Sequence, residues 1–181
     1  HRVLFDLSES GNNSFLDNIP YDSWVWRSWN DIDQSLSPNG TKRAVWDLGD
    51  PSLDIWDIPS GKKNNIINYD NTGYIYGNWS PDGSLYAVTY TKPFKDEYSK
   101  VYIVDQDGQN LRELARYKGV DIGTPYWSPD GEKVVYSVFQ IFNSRPTYFH
   151  VISLTTGEIN EFSIESEMGN NSSSGYRIVW S

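Results

Sequence analysis

A chain of 181 residues can build one domain with a real core, and an aromatic content of 15%, with eight Trp, argues against disorder. The net charge of −9 disfavours nucleic acid and anionic lipid as partners, because both need clustered Lys and Arg, and the lack of Cys excludes disulfides and thiolate metal sites. No apolar run is long enough to insert in a membrane and no signal-peptide pattern opens the chain. Because the chain starts at His1 and its one Met is Met168, a processed product or a piece of a longer protein is expected.

Residues 2–11 read as a strand running into a Gly turn. Next comes Leu36-Ser37-Pro38-Asn39-Gly40, the weakest of three copies of one turn motif. Trp79-Ser80-Pro81-Asp82-Gly83 and Trp127-Ser128-Pro129-Asp130-Gly131 are identical, and Val179-Trp180-Ser181 resembles the first half of a further copy. Steps of 43 (36 to 79), 48 (79 to 127) and 53 (127 to 180) match one propeller blade with variable loops. Within each copy, Pro presets φ for a tight turn, Asp or Asn bonds the neighbouring backbone, and Gly takes positive φ without steric cost. Trp before the turn is read as a plug between neighbouring blades.

Each motif precedes strand formers, at 41–46, 84–90 and 132–138. Third strands follow at 53–58, 100–105 and 148–154, each closing on a Gly turn, and short fourth strands lie near 64–68, 110–117 and 158–164. Residues 111–116 have helical propensity but fall where a fourth strand is due. Four antiparallel strands per unit make a blade. Lettering them A to D from the channel outward, residues 2–11 align with a C strand and 175–181 with an A strand. The expected fold is therefore all-β, a propeller of four-stranded antiparallel blades, incomplete, with three full blades and parts of two more. The boundaries are 1–17 for the end of a blade, 24–68, 74–117 and 122–164 for full blades, and 175–181 for the first strand of another.

At 79–83 and 127–131 the chain resembles the TolB-type propeller repeat, which carries Trp-Ser-Pro-Asp-Gly at the A–B turn. The copy at 36–40 departs by Leu for Trp and Asn for Asp; Asn keeps the turn chemistry, and the plug is what changes. The resemblance covers most of the chain and implies fold more than function. The family includes periplasmic TolB, whose propeller binds protein partners, and similar blades form the gating domain of prolyl-oligopeptidase and dipeptidyl-peptidase enzymes.

No catalytic constellation stands out. The two His residues are His1 and His150, no Gly-x-Ser-x-Gly elbow occurs, and His150 in mid-strand reads as a half-buried structural residue. Asp105-x-Asp107-Gly108-x-Asn110 resembles part of a calcium loop but lacks the distal Glu and fits a C–D hairpin turn, so no metal or other cofactor is expected. Asp31 with Asp33, and Asp47 with Asp50, are explained by loop solvation, and the sequons at Asn12, Asn39, Asn78, Asn170 and Asn171 by composition. The A–B and C–D turns share one face and are short. The B–C and D–A connections share the other and are long at 91–99, 140–147 and 165–175. There Phe94, Tyr98, Phe142 and Arg145 are the residues best suited to anchor a partner. The functional expectation is a non-enzymatic, periplasmic or extracellular scaffold that binds a protein or glycan and also self-associates through open blade edges. The alternatives are the gate of a serine peptidase whose catalytic domain lies elsewhere, or a lactonase-like propeller with a metal in its channel.

Overall fold

The computed structural model describes residues 3–6, 36–47, 52–68, 73–92, 94, 96–140, 148–163 and 177–180. The chain divides into two compact units. In one, made from 1–24 and 165–181, β1 (Val3–Asp6) pairs antiparallel with β14 (Arg177–Trp180), Val3 opposite Trp180 and Asp6 opposite Arg177. The sequence pattern placed these segments as a C and an A strand, which are not neighbours in a blade. Their direct pairing is a departure from that expectation, made by backbone hydrogen bonds that side-chain pattern does not specify.

The other unit, Val25–Ile164, holds three antiparallel sheets in chain order. The first contains β2 (Lys42–Asp47), β3 (Ser52–Asp57) and β4 (Lys63–Asn68), with Leu36 bridged to Arg43. The second contains β5 (Tyr74–Trp79), β6 (Leu85–Thr91), β7 (Tyr98–Asp105) and β8 (Arg112–Lys118). The helix-prone segment 111–116 is thus extended, because pairing with β7 outweighs local propensity. In the third, β11 (Lys133–Gln140) pairs with β12 (Tyr148–Ser153), and β12 with β13 (Ile159–Ser163). On its inner side β11 meets a broken strand, β9 (Val120–Ile122) and β10 (Tyr126–Trp127). Ile122 opposes Val138 and Tyr126 opposes Val135, so one extra residue is accommodated around Pro125, which has no N–H to offer the ladder.

Strands change character from the inside of each sheet outward. The second-position strand β6 is buried at every position after Leu85, as suits a strand covered on both faces, whereas β8 is mostly exposed or half-buried. Two apolar cores result. Ala44, Leu53 and Ile55 of the first sheet pack with Ile75, Trp79, Tyr86, Val88, Tyr90 and Val104 of the second. On the opposite side of the second sheet, Ala87, Val101 and Ile103 pack with Ile122, Trp127, Val134, Tyr136, Val138 and Ile152. Each fully buried Val, Ile or Leu contributes about 1.5–3 kcal/mol.

Candidate binding site on the loop face

The turn end of the sheets is closed by its own side chains. In the motif at 79–83, Ser80 Oγ donates to Asp82 Oδ1 (2.6 Å) and accepts the Leu85 N–H (2.9 Å), while Asp82 Oδ1 also accepts the Ser84 N–H (3.0 Å). The same pattern holds Ser128, Asp130, Glu132 and Lys133, and Asn39 reproduces it with Ser37, Thr41 and Lys42. The hydroxyl of Ser80, followed by the Ser84 N–H and hydroxyl, holds Asp82 below its ordinary value; Ser128 and then the Glu132 N–H do the same for Asp130. Gly40, Gly83 and Gly131 each take φ between +71° and +73°. Trp79 and Trp127 are buried, and Trp127 Nε1 donates to the Asn78 carbonyl of the preceding sheet at 2.9 Å. Leu36, at the plug position of the third copy, is 43% exposed.

The suggested calcium segment belongs to this closed end. Asp105 Oδ1 accepts the Asp107 and Gln109 N–H groups, and Oδ2 accepts from Asn110 Nδ2. Asp107 instead reaches the first sheet, where Lys42 Nζ lies 2.6 Å from its carboxylate and 2.7 Å from that of Asp57. These bonds, to Asp107 first and then Asp57, raise the Lys42 pKa, and the Lys42 bond followed by that of Ser60 lowers Asp57. Asp105, Asp107 and Asn110 therefore form a hairpin turn with an inter-sheet ion pair. Among the described residues no cluster of three or more metal-ligating side chains is present.

At the opposite end a polar seam, missed in the sequence, ties β9 to the second sheet. Ser99 Oγ accepts the Lys92 N–H (3.0 Å) and donates to the Val120 carbonyl (2.7 Å). Thr91 Oγ1 lies 3.0 Å from Ser99 Oγ, donates to Asp121 and accepts the Ile122 N–H (3.1 Å), and Thr89 Oγ1 donates to the Gly123 carbonyl (3.0 Å). Its one sequence signal is Thr89 and Thr91 at alternate positions of an otherwise apolar strand. The seam fixes the base from which the 92–97 connection rises.

Phe94 on that connection and Tyr98, the first residue of β7, stand in solvent, at 49% and 44% exposure. The Arg116 guanidinium lies 5.9 Å from the Tyr98 ring centre, Lys118 is 3.3 Å from Asp96, and Lys92 is 3.5 Å from Glu97. Phe142 and Arg145 lie outside the described residues, as do Asp31, Asp33, Asp50 and the sequons at Asn12, Asn170 and Asn171. Of the four expected anchors the structure thus places Phe94 on the connection and Tyr98 not on a loop but at the start of β7, where pairing with β8 extends the strand past the expected loop end.

His150 is buried rather than half-buried, with both ring nitrogens engaged. Nδ1 is 2.6 Å from Tyr117 Oη, which is 2.8 Å from Tyr136 Oη, and Nε2 is 3.1 Å from Glu161. A carboxylate only accepts, so Nε2 carries a proton; in the neutral ring Nδ1 then accepts from Tyr117 and Tyr117 from Tyr136. Burial pushes both tyrosine hydroxyls up, keeping them protonated. The Tyr117 bonds thus bridge the second and third sheets.

No family model matches the chain. Solved structures do. TolB from Acinetobacter baumannii superposes with a TM-score of 0.56 and 15% identity, over 80% of this chain and 39% of that one. Kuenenia stuttgartiensis hydrazine synthase gives 0.51 and 17%, over 72% and 41%. The β-propeller domain of the Trilobed protease from Pyrococcus furiosus gives 0.49 and 14%, over 76% and 48%. The fold is a β-propeller. The three sheets are its blades, and the chain spans less than half the length of each of these structures. At such identities the likeness concerns the fold alone.

Proposed function

We propose that this propeller is a non-enzymatic scaffold whose loop face binds a protein or glycan partner outside the cytoplasm. The observation that carries this reading is the pair Phe94 and Tyr98, two large exposed rings, one on the connection and one at the first residue of β7, beside the Thr91–Ser99–Asp121 seam. Exposed aromatics on a rigid base lose little entropy on binding and dominate hot spots. The turn face offers less, since its polar groups already serve one another. The engagement of both His150 nitrogens by Tyr117 and Glu161 supports the non-enzymatic part, because a general base needs a nitrogen free for its nucleophile.

The resemblance of 79–83 and 127–131 to the TolB-type repeat supports an extracytoplasmic location. Fractionation of the native host tests it, and co-purification with cytosolic markers rejects it. The binding role is tested by measuring affinity for a partner identified by affinity capture or on a glycan array. Phe94→Ala and Tyr98→Ala are each expected to weaken it by about tenfold or more. Unchanged affinity removes the loop face, and hydrolytic turnover by this protein that is lost in His150→Gln refutes the scaffold reading.

A further inference from the structure

The register of β7 on β8 builds a cationic and aromatic array that no single segment of sequence displays. Tyr98 lies opposite Lys118, Lys100 opposite Arg116, and Tyr102 opposite Glu113, so these six side chains share one face of the second blade. Lys100 and Arg116 are like charges directly across from one another, an arrangement that costs stability unless offset. Glu113 offsets it, accepting from Arg116 Nε at 2.6 Å and Nη2 at 3.0 Å and lying 3.7 Å from Lys100. Among the described residues the other acid paired here is Asp96, which meets Lys118 from a position 88% exposed. Three cations therefore share two carboxylates, in a chain with 24 acidic and 15 basic residues. The array is open: the Arg116 and Lys118 side chains are 57% and 52% exposed. Tyr98 and Tyr102 back it, with Arg116 and Lys100 each 5.9 Å from a ring centre.

β8 is also the last strand in the hydrogen-bonded order of its sheet. We propose that this edge takes up an extended acidic polypeptide segment, added beside β8 with its carboxylates on Lys118, Arg116 and Lys100. Arg116 and Lys118 alternate along the strand at about 7 Å, the spacing of same-face side chains on an added strand. That repeat, together with the terminal position of β8 among the described strands of its sheet, favours a peptide over an acidic glycan. Basic side chains on the edge also repel the same edge of a second copy, so they select an acidic strand. The inference rests on the scaffold reading and extends it from the loop to the blade edge.

The test is fluorescence anisotropy of a labelled alternating Glu-Val peptide of about eight residues with the intact protein. Binding at low salt that weakens at high salt is expected, with no binding of the matching Lys-Val peptide. Arg116→Gln and Lys118→Gln, both at exposed positions and checked for an unchanged melting temperature, are each expected to weaken it about tenfold. Amides of 112–118 should gain protection from hydrogen exchange on binding. Absence of Glu-Val binding, indifference to both substitutions, or protection elsewhere overturns the proposal. Tighter binding of a uronic-acid oligosaccharide through the same residues overturns it in favour of a glycan, and dimerisation blocked by Arg116→Gln overturns it in favour of a second copy. If the peptide fails while Phe94-dependent binding persists, the edge site falls and the scaffold reading stands; if both fail, both fall.

Discussion

Replacing Trp127 by Phe tests whether the repeated Trp fastens one blade to the next or merely fills space. The ring is 92% buried by exposure (8% accessible), and its Nε1 donates to the Asn78 carbonyl across the blade boundary. Phe keeps an aromatic ring in the site but removes the donor and leaves a void of roughly 40 Å³, which costs about 1 kcal/mol at the usual cavity coefficient. Losing the hydrogen bond costs about another 1 kcal/mol, at the low end for a buried acceptor because a carbonyl has a second lone pair. A total near 2 kcal/mol, with a urea m-value of about 2 kcal/mol/M, moves the denaturation midpoint down by about 1 M. Urea unfolding followed by far-ultraviolet circular dichroism measures it. Hydrogen exchange should localise the loss to 126–138 and to the amides near Asn78. A midpoint within about 0.3 M of the parent refutes the fastening role and leaves Trp127 a replaceable filler.

The remaining predictions concern the other joints. A β-carbon at Gly77 would lie 2.4 Å from Tyr86 Oη, and Tyr86 is fully buried, so Gly77→Ala should cost about 2–3 kcal/mol and lower the melting temperature by roughly 6 °C. Gly83 and Gly157 share φ of +73°, but a β-carbon meets Pro38 Cδ at 3.2 Å only at Gly83; both Ala variants should destabilise, Gly83→Ala measurably more in thermal melts. Tyr117→Phe should cost about 1–3 kcal/mol by stripping a partner from Tyr136 and His150, and combining it with Tyr136→Phe should cost less than the sum in a double-mutant cycle. Asn39→Asp should raise the melting temperature at pH 7 by about 1–2 °C, from roughly 0.5 kcal/mol in an exposed turn. Because Asp82 and Asp130 in the same setting have lowered pKa values, such stabilisation is present above the ordinary carboxylate pKa and is lost as pH falls through the lower folded value. Melts at pH 7 and pH 3 should show the advantage shrinking; a gain that is larger at pH 3 contradicts this account of the turn.

What was legible in the sequence was local. The turn at 79–83 needs a hydroxyl, a carboxylate two residues on and a left-handed Gly, all within a few residues, so residue types alone specify it. The strand β6 was equally plain from its run of strand formers. The candidate sites were only half legible, because the exposed ring of Phe94 follows from loop position, whereas Tyr98 and its neighbours follow from register. Residues 111–116 show why. Pairing runs Lys100 with Arg116 and Val101 with Ala115, then shifts so that Tyr102 meets Glu113. Without that one-residue bulge at Leu114, Glu113 would oppose Ile103 and face the core shared with the third blade, a buried carboxylate with no cation beside it. With the bulge, Glu113 turns to the face of Lys100 and Arg116, reconciles two like charges, and leaves the array open to a further anion. The first blade has the same device: its bulge between Leu53 and Asp54 brings Asn65 opposite Asp54, whose carboxylate accepts from Asn65 Nδ2 at 3.0 Å. In both blades an irregularity invisible to period-two patterning decides which acid is satisfied and on which face, so the chemistry of the outer edge is set by pairing rather than by composition.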